Sequence, residues 1–101
     1  MISTIMISKS LLKQIKSLEQ RKFRKESGLF VAEGGKTIQD LIDSGLEAVN
    51  IIATDEWMKN HKLNTKAKIT VVSNEEMKKA SFLRTPQGIL ALFRQQIHEI
   101  D

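Results

Sequence analysis

The hydrophobic residues near the start of the chain recur at helical spacing. They occupy the positions Ile7, Leu11, Leu12, Ile15 and Leu18. Basic residues recur at the same spacing on another face, at Lys9, Lys13 and Lys16. Residues 8–20 are therefore predicted to form an amphipathic helix, with Ser8 as its N-cap.

Four short apolar runs follow, separated by polar segments and helical patterns. The runs predict strands over residues 29–32, 48–53, 68–72 and 89–93. Helices are predicted between them, over residues 36–44, 55–61 and 73–80. A capping box formed by Ser73 and Glu76 marks the start of the last helix. This alternation predicts an α/β fold, a three-layer α/β/α sandwich around a mostly parallel four-stranded sheet.

Two segments interrupt the alternation of strands and helices. Residues 21–27 are polar and basic, and they fit either a last helical turn or a loop. Residues 81–88 contain the only proline of the chain, in Thr85-Pro86-Gln87-Gly88. This second segment is predicted to form an ordered turn before the last strand.

The composition limits the possible classes of protein. The chain has 101 residues, of which 41% are hydrophobic, which suits one domain with its own core. It contains no cysteine and two histidines, which excludes disulfides and argues against a zinc site. No apolar run approaches the roughly 18 residues of a membrane span. The first residues also lack the features of a signal peptide, so we expect a cytoplasmic protein with no membrane partner.

The positive charge of the chain is concentrated near its start. Residues 1–25 contain seven basic residues and one acidic residue, whereas residues 26–101 contain nine basic and eleven acidic residues. A concentrated basic segment is typical of proteins that bind a polyanion. From charge alone, a nucleic acid, a membrane surface and a merely solvated face all remain open.

The best functional candidate is the basic stretch Arg21-Lys22-Phe23-Arg24-Lys25. Its cations can neutralise phosphates, and Phe23 either stacks on a base or packs beneath the first helix. The sequence Gly35-Lys36-Thr37 resembles the end of a phosphate-binding loop, but Phe30 stands where that loop needs another glycine. The turn before Lys36 still favours an anion modestly. No nucleophile, acid–base pair or cofactor motif occurs, so no catalytic, cofactor-binding or metal-binding residue is predicted.

Several motifs resemble the N-terminal domain of the SpoU (TrmH) family of RNA ribose 2′-O-methyltransferases. A K-x-R segment at residues 22–24 precedes a strand that ends in V-x-E-G at residues 31–34. The stretch at residues 81–93 matches the closing turn and strand of the same domain. The resemblance covers about residues 8–94. It implies a fold similar to that of the kink-turn-binding ribosomal proteins of the L30e type, which agrees with the predicted sandwich.

The resemblance implies that residues 1–94 form a domain that binds structured RNA, either ribosomal or transfer RNA. Residues 95–101 then begin a linker to a SPOUT catalytic domain, which is absent from this chain. That domain would bind S-adenosylmethionine, so this chain alone is expected to hold no cofactor and to be inactive. Its expected partners are RNA and its own catalytic domain, and the isolated domain is expected to be monomeric. The alternative is a protein-interaction module of the same fold without RNA binding.

Site residues follow from the resemblance only where its motifs match. Arg24 resembles an arginine that faces RNA, and the turn at residues 85–88 resembles one that approaches the substrate. Glu33 and Gly34 resemble a structural turn, in which Glu33 accepts from backbone amides or pairs with Arg24. Charge adds further candidates, so the predicted RNA-binding residues are Lys9, Lys13, Lys16, Arg21, Lys22, Arg24, Lys25, Lys36, Arg84, Thr85, Gln87 and Gly88.

Overall fold

The structure is a computed structural model that describes residues 7–95. Its helices are α1 (Lys9–Ser17), α2 (Arg21–Ser27), α3 (Gly35–Asp43), α4 (Asp55–Asn60) and α5 (Asn74–Ala80). Its strands are β1 (Leu29–Glu33), β2 (Ala48–Thr54), β3 (Ile69–Val72) and β4 (Ile89–Arg94). The predicted linker lies outside the described residues except for Gln95. Within residues 7–95, no helix has the length and apolar character that crossing a membrane requires.

The four strands form one sheet in the order β1-β4-β2-β3. β2 and β3 pair in parallel, whereas β4 lies between β1 and β2 and runs antiparallel to both. The predicted α/β fold with a four-stranded sheet between helices is confirmed. The prediction of a mostly parallel sheet needs correction, because the sheet is mixed.

The direction of β4 depends on how the chain reaches it. β3 ends at Val72, and after α5 the segment 81–88 returns to the same end of the sheet, because Thr54 N–H at the end of β2 donates to Gly88 O at 2.9 Å. A parallel β4 would instead have to start at the opposite end. Residues 89–93 are all buried, a pattern that a central parallel strand shares, so hydrophobicity did not distinguish the two directions.

Helices cover both faces of the sheet. α1 and α5 lie on one face, where the buried side chains are Ile15, Leu18, Leu29, Ile52, Val72, Met77, Ala80, Leu90 and Leu92. α3 and α4 lie on the other face, where the buried side chains are Ala32, Ile38, Ile51, Ala53, Trp57, Ile89, Ala91 and Phe93. β4 contributes to both clusters, which makes it the centre of the core.

The first predicted helix ends earlier than expected. α1 begins after Ser8, whose hydroxyl accepts from Leu11 N–H at 3.1 Å, as predicted for an N-cap. It ends at Ser17 rather than three residues later, and the chain starts α2 at Arg21. The basic stretch at residues 21–27 is therefore a separate helix rather than a last turn or a loop.

One arginine bonds across the break between α1 and α2. The carbonyl oxygens of Leu18 and Glu19 lie beyond the last turn of α1, and both accept from Arg24 Nη1, at 2.9 and 3.0 Å. Leu18, the C-cap of α1, is only 2% exposed and completes the apolar face of that helix before the chain turns toward β1. Gly28 then ends α2 at a φ of 71°, a left-handed conformation that favours glycine.

Ser73 and Glu76 form the predicted capping box at the start of α5. The Ser73 hydroxyl accepts from Glu76 N–H at 3.1 Å, and Glu76 Oε1 accepts from Ser73 N–H at 2.9 Å. Glu76 Oε2 also accepts from Ile7 N–H at 2.7 Å, which ties the start of the described chain to α5. The Ser73 N–H is the main cause that lowers the pKa of Glu76, and the Ile7 N–H and the Lys79 charge lower it further against the opposing effect of burial.

This lowered pKa predicts an acid-sensitive contribution to stability. Glu76 stabilises the folded state above the ordinary pKa of glutamate, about 4.3, and this contribution is lost as the pH falls through the lower folded-state pKa. We expect the free energy of unfolding to fall less on acidification in Glu76→Gln than in the unmodified chain. Urea denaturation at a series of pH values measures the difference. Glu75→Gln, at an exposed neighbour, should keep the original pH dependence, and equal slopes in all three proteins would contradict the prediction.

Candidate functional site

The carboxyl end of the sheet is where β1, β2 and β3 end and β4 begins. Backbone hydrogen bonds hold its connections together, because Gly34 N–H donates to Ile89 O at 3.1 Å and Thr54 N–H donates to Gly88 O at 2.9 Å. The turn after β1 and the segment 81–88 therefore lie side by side. The predicted site residues at this end are Lys36, Arg84, Thr85, Gln87 and Gly88, together with the predicted structural turn of Glu33 and Gly34.

Glu33 anchors the segment 81–88 to the end of β1. Its Oε1 accepts from the Ser81 hydroxyl at 2.5 Å, and its Oε2 accepts from Phe82 N–H at 2.9 Å. Ser81 is only 6% exposed, so the carboxylate satisfies a buried hydroxyl. Glu33 therefore accepts from a backbone amide, the first of the two roles considered for it. The Nη1 of Arg24 instead donates to the carbonyl oxygens of the α1–α2 break.

Two glycines at the carboxyl end pack directly against Trp57. A Cβ on Gly35 would lie 2.7 Å from Trp57 Cζ2, and one on Gly88 would lie 3.3 Å from Trp57 Cβ and Cδ1. Gly88 also has a φ of +84°, which L residues rarely adopt. Because Trp57 is 7% exposed, a side chain at Gly35 has to displace a buried ring, whereas one at Gly88 requires a smaller shift of its neighbours. Trp57 thus joins α3, α4 and the segment 81–88 by packing.

Polar side chains surround this packed centre. Lys36, Arg84, Thr85 and Gln87 are all exposed. Gln87 Cγ lies 3.8 Å from where a Cβ on Gly34 would stand, so the two turns approach each other closely. These four side chains are therefore accessible to a ligand at this end of the sheet, and their role in binding RNA stays a prediction.

The lysines of α1 lie along one face of that helix. Lys9 and Lys13 are exposed, and Lys16 is half-buried. Lys16 Nζ lies 3.4 Å from Ser81 O and 4.6 Å from the centre of the Phe82 ring. The lysine face of α1 therefore meets the segment 81–88 at its first residues, which joins the α1 candidates to the carboxyl end of the sheet.

The cations of α2 divide into one half-buried side chain and three exposed ones. Arg24 is half-buried and lines a cavity together with Phe82, whereas Arg21, Lys22 and Lys25 are exposed. Lys22 Nζ lies 5.3 Å from the centre of the Phe23 ring, and Phe23 is itself half-buried. The structure thus brings Arg24 toward the segment 81–88, and the other three cations face solvent.

Sequence reasoning missed a second group of residues at the carboxyl end. Trp57 and His61 stack with ring centres 4.9 Å apart and planes 11° apart, and both line two cavities of about 250 and 340 Å³. Other residues on these cavity walls, which were not predicted as site residues, include Asn60, Lys62 and Asn74. The four-residue spacing of Trp57 and His61 was the available signal, since residues so spaced are neighbours on a helix.

Comparison with known protein families identifies the domain. The family model described as the MRM3-like substrate binding domain matches residues 9–91. The chain belongs to this family. The match includes the five helices and β1, β2 and β3, together with the segment 81–88 and the first residues of β4. No curated protein sequence matches the chain.

Solved structures share the fold of this MRM3-like substrate-binding domain. A Porphyromonas gingivalis protein assigned to the TrmH family of RNA methyltransferases has a TM-score of 0.75 and 23% identity, over 89% of this chain and 36% of its own. An RNA 2′-O ribose methyltransferase has a TM-score of 0.74 and 21% identity, over 98% of this chain and 40% of its own. An AdoMet-bound rRNA methyltransferase from Sinorhizobium meliloti has a TM-score of 0.72 and 21% identity, over 95% of this chain and 38% of its own. At these identities the likeness shows the fold alone, and the chain spans less than half the length of each protein.

Proposed function

We propose that this MRM3-like substrate-binding domain recognises structured RNA for a ribose 2′-O-methyltransferase. Family membership carries the proposal, because the matching description is that of a substrate-binding domain and the solved neighbours are RNA methyltransferases. A catalytic domain outside this chain would then bind S-adenosylmethionine and perform the methyl transfer, since one neighbour is an AdoMet-bound enzyme. Ribosomal or transfer RNA is the proposed class of substrate.

The surface suits contacts with an RNA backbone. The exposed cations Lys9, Lys13, Arg21, Lys22, Lys25, Lys36 and Arg84 come from α1, α2 and the carboxyl end of the sheet. Phosphate contacts of this kind set the orientation of an RNA without reading its sequence. Most aromatic rings of the chain are packed in the two core clusters, so shape and charge should dominate recognition over base stacking.

Binding to a structured RNA should weaken steeply with salt. Each phosphate neutralised by the protein releases condensed counterions, so the logarithm of the affinity falls by about 0.9 per tenfold rise in salt concentration for each phosphate on a duplex. Fluorescence anisotropy with a labelled ribosomal RNA hairpin at several salt concentrations measures this slope. The isolated domain and the protein that also carries the catalytic domain should give the same sign of salt dependence.

Substitution of exposed cations tests the proposed RNA-binding surface more directly than the salt dependence of the unmodified chain. Neutralising Lys22 and Arg84 together (Lys22→Gln, Arg84→Gln) should make the salt slope shallower by about two. Arg24 is left unchanged because its Nη1 bonds to two carbonyl oxygens of the α1–α2 break. Lys68→Gln is the matched control, since Lys68 is exposed and precedes β3 at the opposite end of the sheet.

Two outcomes would contradict the proposal. If neither the isolated domain nor the longer protein binds RNA at low salt, the domain does not recognise RNA, and a protein-interaction module becomes the better explanation. If Lys68→Gln weakens binding as much as the Lys22 and Arg84 pair, the RNA does not contact the proposed surface.

A further inference from the structure

The His61 side chain forms an exposed aromatic surface at the end of α4. One face of its ring stacks on Trp57, with ring centres 4.9 Å apart and planes 11° apart. Trp57 is buried at 7% exposure, whereas His61 is exposed. The buried indole therefore supports an imidazole ring whose other face is open to solvent.

Hydrogen bonds fix the orientation of the His61 ring. Its backbone N–H donates to Trp57 O at 2.9 Å, and its Nδ1 lies 3.2 Å from the same oxygen. Because a carbonyl oxygen only accepts, Nδ1 must carry the hydrogen of this bond, and Nε2 is left for a ligand. Gly35 and Gly88 pack against Trp57 and hold the supporting ring in place.

Two lysines lie beside this aromatic surface. Lys36 and Lys62 line the same cavity as His61 and Trp57, and both are exposed. Asp40 adds one negative charge to the same wall. The cavity measures about 340 Å³, and pockets for small ligands run from about 300 to 1,000 Å³. A flat surface flanked by two cations suits a ligand that combines a planar ring with anionic groups.

We propose that the open face of His61 stacks on an unpaired base of the RNA, while Lys36 and Lys62 contact the phosphates beside it. The inference rests on the proposed RNA-binding function and adds a preference for a looped or bulged nucleotide over a continuous duplex. A stacked base needs only a planar surface, so this contact favours an unpaired nucleotide without selecting its identity.

The experiment compares two RNA probes of the same stem. One is a hairpin with an unpaired loop, and the other is the fully paired duplex. The unmodified chain should bind the hairpin at least about fivefold more tightly, as expected for one stacked base. His61→Ala should remove this preference and leave duplex binding unchanged, whereas His61→Phe should retain it. Hairpin binding should also shift the ring-proton resonances of His61 upfield, which a purely structural histidine would not show.

A separate pair of variants tests whether Lys36 and Lys62 contact phosphates. The double variant Lys36→Gln, Lys62→Gln should reduce the salt slope for the hairpin by about two, whereas Lys68→Gln at the opposite end of the sheet should leave hairpin and duplex binding as they were. Circular dichroism of each variant verifies its fold, and His61→Phe keeps a stacked ring on Trp57.

The possible results separate this inference from the proposed function. If the unmodified chain binds both RNAs equally, or if His61→Ala keeps the hairpin preference, the stacking role is wrong while RNA recognition stands. If no RNA binds at low salt, both proposals fail. If the lysine variants remove the hairpin preference and His61→Ala does not, the cavity binds only phosphates. That result would overturn the stacking role of His61.

Discussion

Replacing Trp57 with alanine is expected to lower the free energy of unfolding by about 3–5 kcal/mol, the usual cost of removing a buried aromatic side chain. Trp57 is 7% exposed and packs in the α3-side core with Ile38 and Phe93. It also supports Gly35 and Gly88, so its loss leaves a cavity beneath two turns of the carboxyl end. Urea denaturation followed by circular dichroism measures the change, because the variant has no tryptophan to report by fluorescence.

A double-mutant cycle isolates the contact between Gly35 and Trp57. The added methyl of Gly35→Ala would lie 2.7 Å from Trp57 Cζ2, and overpacking of this kind costs about 1–3 kcal/mol. In a Trp57→Leu background the ring is gone, and the same alanine should be neutral or slightly stabilising because alanine favours a helix over glycine. An equal cost in both backgrounds would mean that the glycine is needed for another reason.

Replacing Glu33 with alanine is expected to destabilise the domain by about 2–4 kcal/mol, because two hydrogen bonds to a charged group are lost and a buried hydroxyl loses the acceptor of its hydrogen. The bonds are those from the Ser81 hydroxyl and from Phe82 N–H. The segment 81–88 should detach locally before the rest of the domain unfolds. Hydrogen exchange at the Phe82 amide reports this opening, and urea denaturation reports the overall loss.

Matched variants test whether Glu33 acts through this anchor. Glu33→Gln keeps an acceptor for one bond and should lose less stability than Glu33→Ala. Adding Ser81→Ala to Glu33→Ala should cost less than the sum of the two single changes, since both remove the same hydrogen bond. Glu19→Ala, at an exposed glutamate, should have little effect. An unchanged exchange rate at the Phe82 amide in Glu33→Ala would show that something else holds the segment.

The sequence predicted helix caps and strand positions well, because these depend on residues a few positions apart. The caps at Ser8 and Ser73 form because each hydroxyl accepts from a backbone N–H three residues along the chain. The four strands lie where the apolar runs predicted them, and the family resemblance agrees with the matched substrate-binding domain. That the basic residues together form one RNA-binding surface remains a prediction.

Other features depended on contacts that the local pattern does not contain. After α1 ends at Ser17, Arg24 bonds to two carbonyl oxygens of the α1–α2 break, and the spacing of the apolar residues contains no signal for this contact. The antiparallel direction of β4 follows from the end of the sheet to which the segment 81–88 returns. A buried apolar strand has the same composition in either direction, so no periodicity reveals it.

The amino-acid sequence by itself determined the class of fold, the caps and the concentration of positive charge in residues 1–25. Each depends on composition or on residues a few positions apart. Only the tertiary structure decided which distant groups meet: Glu33 with Ser81, Gly35 and Gly88 with Trp57. Such pairs are separated by 20 to 50 residues or so, and their contacts form only when the core sets the spacing between elements.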